Sequence, residues 1–213
     1  MPRPKPVVIV RCVIVPCVIV PCVIILCGGT SRRLGGGDKT RESLSGTTVL
    51  DHLLDDLPSD WPVVCVGEMR ATTRSVQWCR ESPAGGGPVA GIAAGLELIR
   101  DLGAATDHDA ICVVVGGDMP FAATALPTLV DALNAQPGLD AVLASDPDGR
   151  TQPLLAAYRF EALRAALPGE SGGARLMAVV DALLVGTVPC DSQTVLDVDT
   201  PEALEHARHI VGT

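Results

Sequence analysis

Val23-Ile24-Ile25-Leu26-Cys27-Gly28-Gly29-Thr30-Ser31-Arg32-Arg33-Leu34-Gly35-Gly36-Gly37-Asp38-Lys39 is the stretch on which the reading of this chain turns. Its first four residues form an uninterrupted apolar run, the pattern of a strand buried on both faces. A glycine-rich loop follows, leaving the strand at its C-terminal end, where open α/β sheets bind their ligands. Five glycines between Cys27 and Lys39 leave backbone N–H groups uncovered, so a phosphate chain can approach them closely. Arg32, Arg33 and Lys39 add positive charge around that cradle. Lys39 is set apart, because Lys5 is the only other lysine in a chain that otherwise uses arginine. A lysine kept where arginine is the default suits a role that needs a compact, mobile ammonium. The loop reads as a cradle for a nucleoside triphosphate. It is not a P-loop, since Asp38 rather than glycine precedes Lys39, and Gly28-Gly29-Thr30 does not supply the dinucleotide fingerprint.

Upstream of the strand, residues 8–27 are four near-copies of one pentapeptide, Val-Ile-Val-Arg-Cys, Val-Ile-Val-Pro-Cys twice, and Val-Ile-Ile-Leu-Cys. Only the last copy leads into the loop, so it is taken as the first strand, and residues 1–21 as a repetitive, poorly ordered or non-native extension. Arg11, Pro16 and Pro21 argue against a membrane helix through the repeats. Downstream, apolar spacing predicts a helix over residues 47–57, then strands at 63–66 and 76–79. Gly85-Gly86-Gly87-Pro88 opens a helix running through Ile92, Leu96 and Ile99. Further strands are expected at 110–115, 140–144, 152–158 and 183–188, with helices near 123–134, 160–167, 173–182 and 201–209. Such alternation implies an α/β fold, a Rossmann-like three-layer sandwich with a mostly parallel central sheet, over residues 22–213 as a single domain.

Composition agrees with that class. Apolar residues make up 47% of the chain but aromatics only 2%, so the core must rest on Val, Leu, Ile and Ala, the usual filling of covered parallel sheets. From Cys12 onward thirteen basic residues face twenty-five acidic ones, which makes nucleic acid a poor partner. A polyanionic substrate must then be met by local cations and metal ions. Eight cysteines contain no C-x-x-C pair, and several fall in apolar strands. Reduced thiols in a cytoplasmic protein are the simplest reading, with neither membrane nor nucleic acid as partner.

Two acidic segments complete the pattern. Asp118 follows the strand at 110–115 through Gly116-Gly117, at the same sheet end as the loop. A carboxylate there can hold Mg²⁺ against phosphate oxygens, or can cap the following helix. In Asp197-Val198-Asp199-Thr200-Pro201, alternation puts the two aspartates on one side, and Pro201 starts the last helix. Asp199 is a candidate second metal ligand; Thr200 is a candidate cap.

The loop matches Leu-x-Gly-Gly-x-Ser-x-Arg-Met/Leu-Gly-x-x-x-Lys, and the chain thereby resembles the nucleotidyltransferases of the molybdenum cofactor guanylyltransferase family. Gly87-Pro88-Val89-Ala90-Gly91, Asp118-Met119-Pro120, Gln152-Pro153-Leu154 and Asp199-Thr200-Pro201 follow in the family's order. The resemblance implies a nucleotide-diphospho-sugar transferase type of fold and transfer of GMP from GTP to the terminal phosphate of molybdopterin, with release of pyrophosphate. It implies Lys39, Arg33 and Asp118 as catalytic residues and Mg²⁺, held by Asp118 and Asp199, as cofactor. Leu26, Cys27, Gly28, Gly29, Ser31, Lys39, Glu81, Gly87, Pro88, Ala90, Gly91 and Asp118 would contact the nucleotide. Gly28-Gly29 and the Gly87–Gly91 element side with GTP over CTP, and Glu81 and Ser82 stand where relatives place an aspartate near the base or ribose. Arg150 and Gln152 are candidates for the acceptor side, and His52 is expected to pack rather than react. The triphosphate is expected between a metal ion and the Lys39 ammonium on opposite sides. Molybdoenzymes or other proteins of the cofactor pathway are the partners so implied. CTP, a sugar phosphate or phospholactate as alternative substrates, and a non-catalytic nucleotide-binding regulator, stay open.

Overall fold

A computed structural model of the chain describes residues 20–28, 37–104 and 109–212. The three earlier pentapeptide copies therefore lie outside the described residues, except for Val20, Pro21 and Cys22. Strand β1 (Cys22–Leu26) leads to a single turn of 3-10 helix (Lys39–Arg41) and a two-stranded ribbon, β2 (Ser43–Leu44) and β3 (Thr47–Thr48). Helix α1 (Val49–Asp56), strands β4 (Val63–Val66) and β5 (Gln77–Cys79), and helix α2 (Pro88–Asp101) follow. Next come β6 (Ile111–Gly116), a short 3-10 turn (Ala122–Ala125), α3 (Leu126–Asn134), β7 (Ala141–Ser145) and β8 (Thr151–Arg159). Helices α4 (Phe160–Ala166) and α5 (Leu176–Val180), strand β9 (Val185–Pro189) and helix α6 (Pro201–Val211) end the chain.

Among the described residues, seven strands form one sheet in the order β5-β4-β1-β6-β8-β7-β9, with β8 antiparallel to its neighbours and the other pairings parallel. The period of two divides each strand between two apolar layers. Val23 and Ile25 pack with Leu50, Leu53, Leu126 and Leu129 of α1 and α3 on one face. Cys22 and Ile24 pack with Ile92, Leu96, Leu163 and Val179 of α2, α4 and α5 on the other. Helices on both faces of a mostly parallel sheet give the expected three layers. Chain order leaves β1 for β4 and β5, then returns through α2 to β6 on the opposite flank of β1. The reversal between β1 and β6 is the topological switch point, where a crevice opens at the carboxyl ends of the strands.

Helix α2 lies unusually close to β1. A Cβ built at Gly95 would stand 2.8 Å from Ile24 side-chain carbons, and one at Gly91 would stand 3.0 Å from Leu26 Cδ2. Ile24 is fully buried and β-branched, so it has little room to move. Gly95→Ala is therefore expected to destabilise the fold by about 1–2 kcal/mol, because overpacking outweighs alanine's gain in helix propensity. Urea unfolding measures this, and an unchanged or raised stability would mean that α2 and β1 separate at little cost.

Some boundaries differ from expectation. The helix expected at 47–57 begins at Val49, because Thr47–Thr48 pair with Ser43–Leu44. Ser45 at φ +46° and Gly46 at φ +95° make the two-residue turn, a left-handed pair that a single Ser-Gly signals weakly. The strand expected at 183–188 runs from Val185 to Pro189, and the helix expected at 173–182 narrows to Leu176–Val180.

Candidate active site

Backbone hydrogen bonds gather three distant segments at the switch point. Gly117 N–H donates to the Leu26 carbonyl at 2.9 Å, which stitches the turn after β6 to the end of β1. That turn needs small residues: a Cβ at Gly116 would lie 2.5 Å from Asp118 Oδ1, and one at Gly117 would lie 3.1 Å from the Leu26 carbonyl oxygen. Val198 N–H then donates to the Asp118 carbonyl at 2.9 Å, laying the 197–199 segment beside it. The Val198 side chain is buried with Leu44, Val49, Phe121 and Leu204, so alternation turns its two aspartate neighbours the other way, toward Lys39. Asp118 is not a helix cap; Phe121 holds the N-cap position of the following turn with no side-chain cap. Thr200 caps α6, its Oγ1 accepting from Ala203 N–H at 3.2 Å.

Lys39 opens its 3-10 turn directly after the N-cap residue Asp38, whose Oδ1 accepts from Thr40 N–H at 3.0 Å and from the Thr40 hydroxyl at 2.6 Å. Its ammonium lies on both Asp118 Oδ2 and Asp199 Oδ1. The Lys39 and Asp118 side chains are 15% and 18% exposed, so water screens this contact only in part. Burial works against the ammonium, but Asp118 and Asp199 outweigh it and hold the Lys39 pKa above the ordinary lysine value. Asp197 is pushed up by burial and by the like charges of Asp199 and Asp118, with Lys39 offsetting part of that. The ammonium therefore stands on the carboxylates rather than facing them across the cleft, because three crowded acids require a counter-charge.

Beside this cluster lies a cleft of roughly 560 Å³. Leu26, Gly28 and Asp118 line it from the ends of β1 and β6, and Gly87, Pro88 and Gly91 from the start of α2. Lys39 and Glu81 complete the set of expected residues found on its wall. Gly85 and Gly87 have φ of +72° and +84°, which L side chains rarely adopt, so the backbone itself forms that wall. Glu81 Oε1 accepts from Gly85 N–H at 3.0 Å, which aims the carboxylate along the same wall. Cys27 and Ala90 do not line the cleft: both are buried behind it, Cys27 with its N–H bound to the Val66 carbonyl. Gly29, Ser31 and Arg33 lie outside the described residues. Val66, Gly85, Gly116 and Leu154 also form the wall. Gly116 and Leu154 sit within the Gly-Gly-Asp and Gln-Pro-Leu segments, whereas nothing local marks Val66. Arg150 is 78% exposed beside Asp148, and Gln152 pairs with Ala144 in the sheet; neither is on the wall. His52 packs edge-on against Phe121 with ring centroids 5.4 Å apart.

The donors suit a hard cation. Asp118 and Asp199 offer carboxylate oxygens that already converge on one positive charge. Among the described residues no group of three or more His, Cys, Asp and Glu side chains makes a ready cage. Two carboxylates offer oxygen ligands that fit a hard divalent cation. Among the described residues, no helix is long and apolar enough to cross a membrane.

The family model described as MobA-like NTP transferase domain matches residues 23–188. A molybdenum cofactor guanylyltransferase of Bradyrhizobium sp. (strain ORS 278) is 29% identical over 153 residues, covering 68% of this chain and 70% of that protein. The crystal structure of molybdopterin-guanine dinucleotide biosynthesis protein A from Archaeoglobus fulgidus has a TM-score of 0.67 at 25% identity, covering 89% of this chain and 98% of that one. The 2-C-methyl-D-erythritol 4-phosphate cytidylyltransferase of Francisella tularensis has a TM-score of 0.69 at 14% identity over 89% of this chain and 99% of its own, a likeness of fold alone.

Proposed function

We propose that this chain, which belongs to the MobA-like NTP transferase family, transfers GMP from GTP to the terminal phosphate of molybdopterin and releases pyrophosphate. One observation carries the reading: the Lys39 ammonium meets the Asp118 and Asp199 carboxylates beside a glycine-walled cleft at the switch point. The names of the Bradyrhizobium and Archaeoglobus relatives supply the guanine nucleotide and the pterin. The setting we propose is the cytoplasm, where free thiols such as Cys27, Cys65 and Cys112 persist.

An ionised oxygen of the acceptor phosphate attacks the α-phosphorus of GTP. The bond from that phosphorus to the bridging oxygen breaks in line, and its electron pair leaves with pyrophosphate. No general base is required, because the attacking oxygen carries no proton at neutral pH. Catalysis is therefore positioning and charge neutralisation. Lys39 and Arg33 take the phosphate charge, together with backbone N–H groups of Gly28, Gly29 and Ser31. Asp118 and Asp199 would hold Mg²⁺, which would supply charge neutralisation at the phosphates. Gly87, where an added Cβ would meet no atom within 4 Å, leaves room for the flat purine on the wall it shares with Glu81.

The test is a thermal-shift panel of GTP, CTP, UTP and ATP with and without Mg²⁺, followed by pyrophosphate release with molybdopterin. At a hundred times its Kd, a nucleotide bound to the native state alone adds about 2.7 kcal/mol of stability. GTP with Mg²⁺ is expected to give the largest shift. A larger shift with CTP would move the assignment to a cytidylyl transfer, and failure to release pyrophosphate from GTP would remove the pterin reaction.

A further inference from the structure

Arg70 lies on the connection between β4 and β5, outside the cleft wall, yet its side chain is only 11% exposed. Nη1 donates to Asp38 Oδ2 at 2.9 Å, and Nη2 donates to the Thr40 hydroxyl oxygen. Thr40 in turn donates to Asp38 Oδ1, closing a three-membered ring of polar contacts on either side of Lys39. The back of the guanidinium faces the Trp78 ring of β5, 5.5 Å from its centroid. Arg41 also reaches Asp38, at 3.2 Å, but it is 45% exposed and shares itself with Glu68.

A three-residue 3-10 turn does not hold its own shape well, since its hydrogen-bond geometry is poor and its length short. Something outside must fix it if Lys39 is to point at one place. Asp38 caps the turn, and Arg70 holds Asp38 and Thr40 together while being braced on the sheet through Trp78. The fork serves the two acceptors from two separate nitrogens held at a fixed spacing, Nη1 and Nη2, whereas a lysine would bring one nitrogen on a flexible stem. We infer that Arg70 is a positioning residue for the transfer reaction: through Asp38 and Thr40 it fixes the turn that aims the Lys39 ammonium at the nucleotide phosphates. This rests on the reading that Lys39 acts on those phosphates.

The experiment places Arg70→Gln and Arg70→Lys in the natural chain and in a Lys39→Ala background. The rate of pyrophosphate release is measured against GTP concentration, with a melting curve for each protein. With Lys39 present, Arg70→Gln is expected to lower kcat by about ten- to a hundredfold, the loss that an ångström of misplacement brings, with a smaller change in KM. Arg70→Lys recovers only part, because it reaches Asp38 without bridging to Thr40. In the Lys39→Ala background, Arg70→Gln is expected to cost less than about threefold, since the group it positions is gone. Equal losses in both backgrounds would overturn the inference while leaving the role of Lys39 intact. A Lys39→Ala protein with near-normal turnover would instead remove the reading on which both rest. If Arg70→Gln melts below the assay temperature, Asp38→Asn weakens the same pair from the other side and is judged by the same comparison.

Discussion

Lys39→Ala is expected to lower turnover by about 10²–10³-fold while the chain remains folded, the range seen when one charge-stabilising donor is removed from a partly desolvated site. The fold survives because Lys39 belongs to neither of the apolar layers that flank the sheet. Stability nonetheless falls, because Asp118 and Asp199 lose their shared counter-ion and Asp197 stands beside them. Asp199 is 42% exposed, so water relieves part of that repulsion, and the loss is about 1–2 kcal/mol rather than the larger cost of breaking a dry pair. Lys39→Arg separates the two effects. A guanidinium can still bridge the carboxylates and restore the melting temperature, but its charge is spread and set further along the chain, so turnover stays low. Melting and steady-state rates measured together read this, and a fast Lys39→Ala enzyme would take the ammonium out of the mechanism.

Asp118→Ala is expected to cost at least as much, about 10³-fold or more, since under the proposed function it removes both a metal ligand and a partner of Lys39. The distinguishing readout is metal dependence rather than rate. The Mg²⁺ concentration needed for half of the GTP-induced thermal shift should rise by about tenfold or more, as one of two carboxylate ligands is lost. The Lys39 pKa should also fall, because Asp118 is the larger of the two carboxylate influences holding it up against burial. An unchanged Mg²⁺ requirement in Asp118→Ala would show that the carboxylate serves Lys39 alone.

The contact between Lys39 and the two carboxylates also bears on how the site fills. Under the proposed function, a metal ion would draw on the same Asp118 and Asp199 oxygens that hold the ammonium, so its binding would exchange one cation for another. The triphosphate would then receive the released ammonium, and Asp118 and Asp199 would keep a cation beside them at each stage. The compact, mobile head group expected of Lys39 suits that exchange better than an arginine fork does.

Much of this molecule is written locally. The apolar run before Cys27, the glycines after it, Gly116-Gly117 ahead of Asp118, and Pro201 at the start of α6 each act within a few residues. Period, backbone freedom and capping are short-range, so they are readable one segment at a time. The three layers and the sheet end that carries the cleft follow from those signals together with the handedness of crossover connections. Other features depend on partners far along the chain. That β8 runs antiparallel between β6 and β7 is a property of the pairing, since its apolar pattern is the same in either direction. The ribbon at 43–48 forms because Leu44 finds a buried place with Val198 and Leu204 of the distant C-terminal segment. Arg70 carries no motif, and its role exists only because β5 lies beside β4 and brings Trp78 under the guanidinium.

Lys39, Asp118 and Asp199 show where local and distant information divide. Residue type and flanking sequence marked each as a candidate for phosphate or metal chemistry, Lys39 and Asp118 by the glycines ahead of them and Asp199 by its alternation with Asp197 before Pro201. Their meeting at one ammonium needed tertiary structure. It depends on the hydrogen bonds from Gly117 to Leu26 and from Val198 to Asp118, which act across long stretches of chain. Coulombic attraction falls off with distance through space, and only the folded path of the backbone sets that distance.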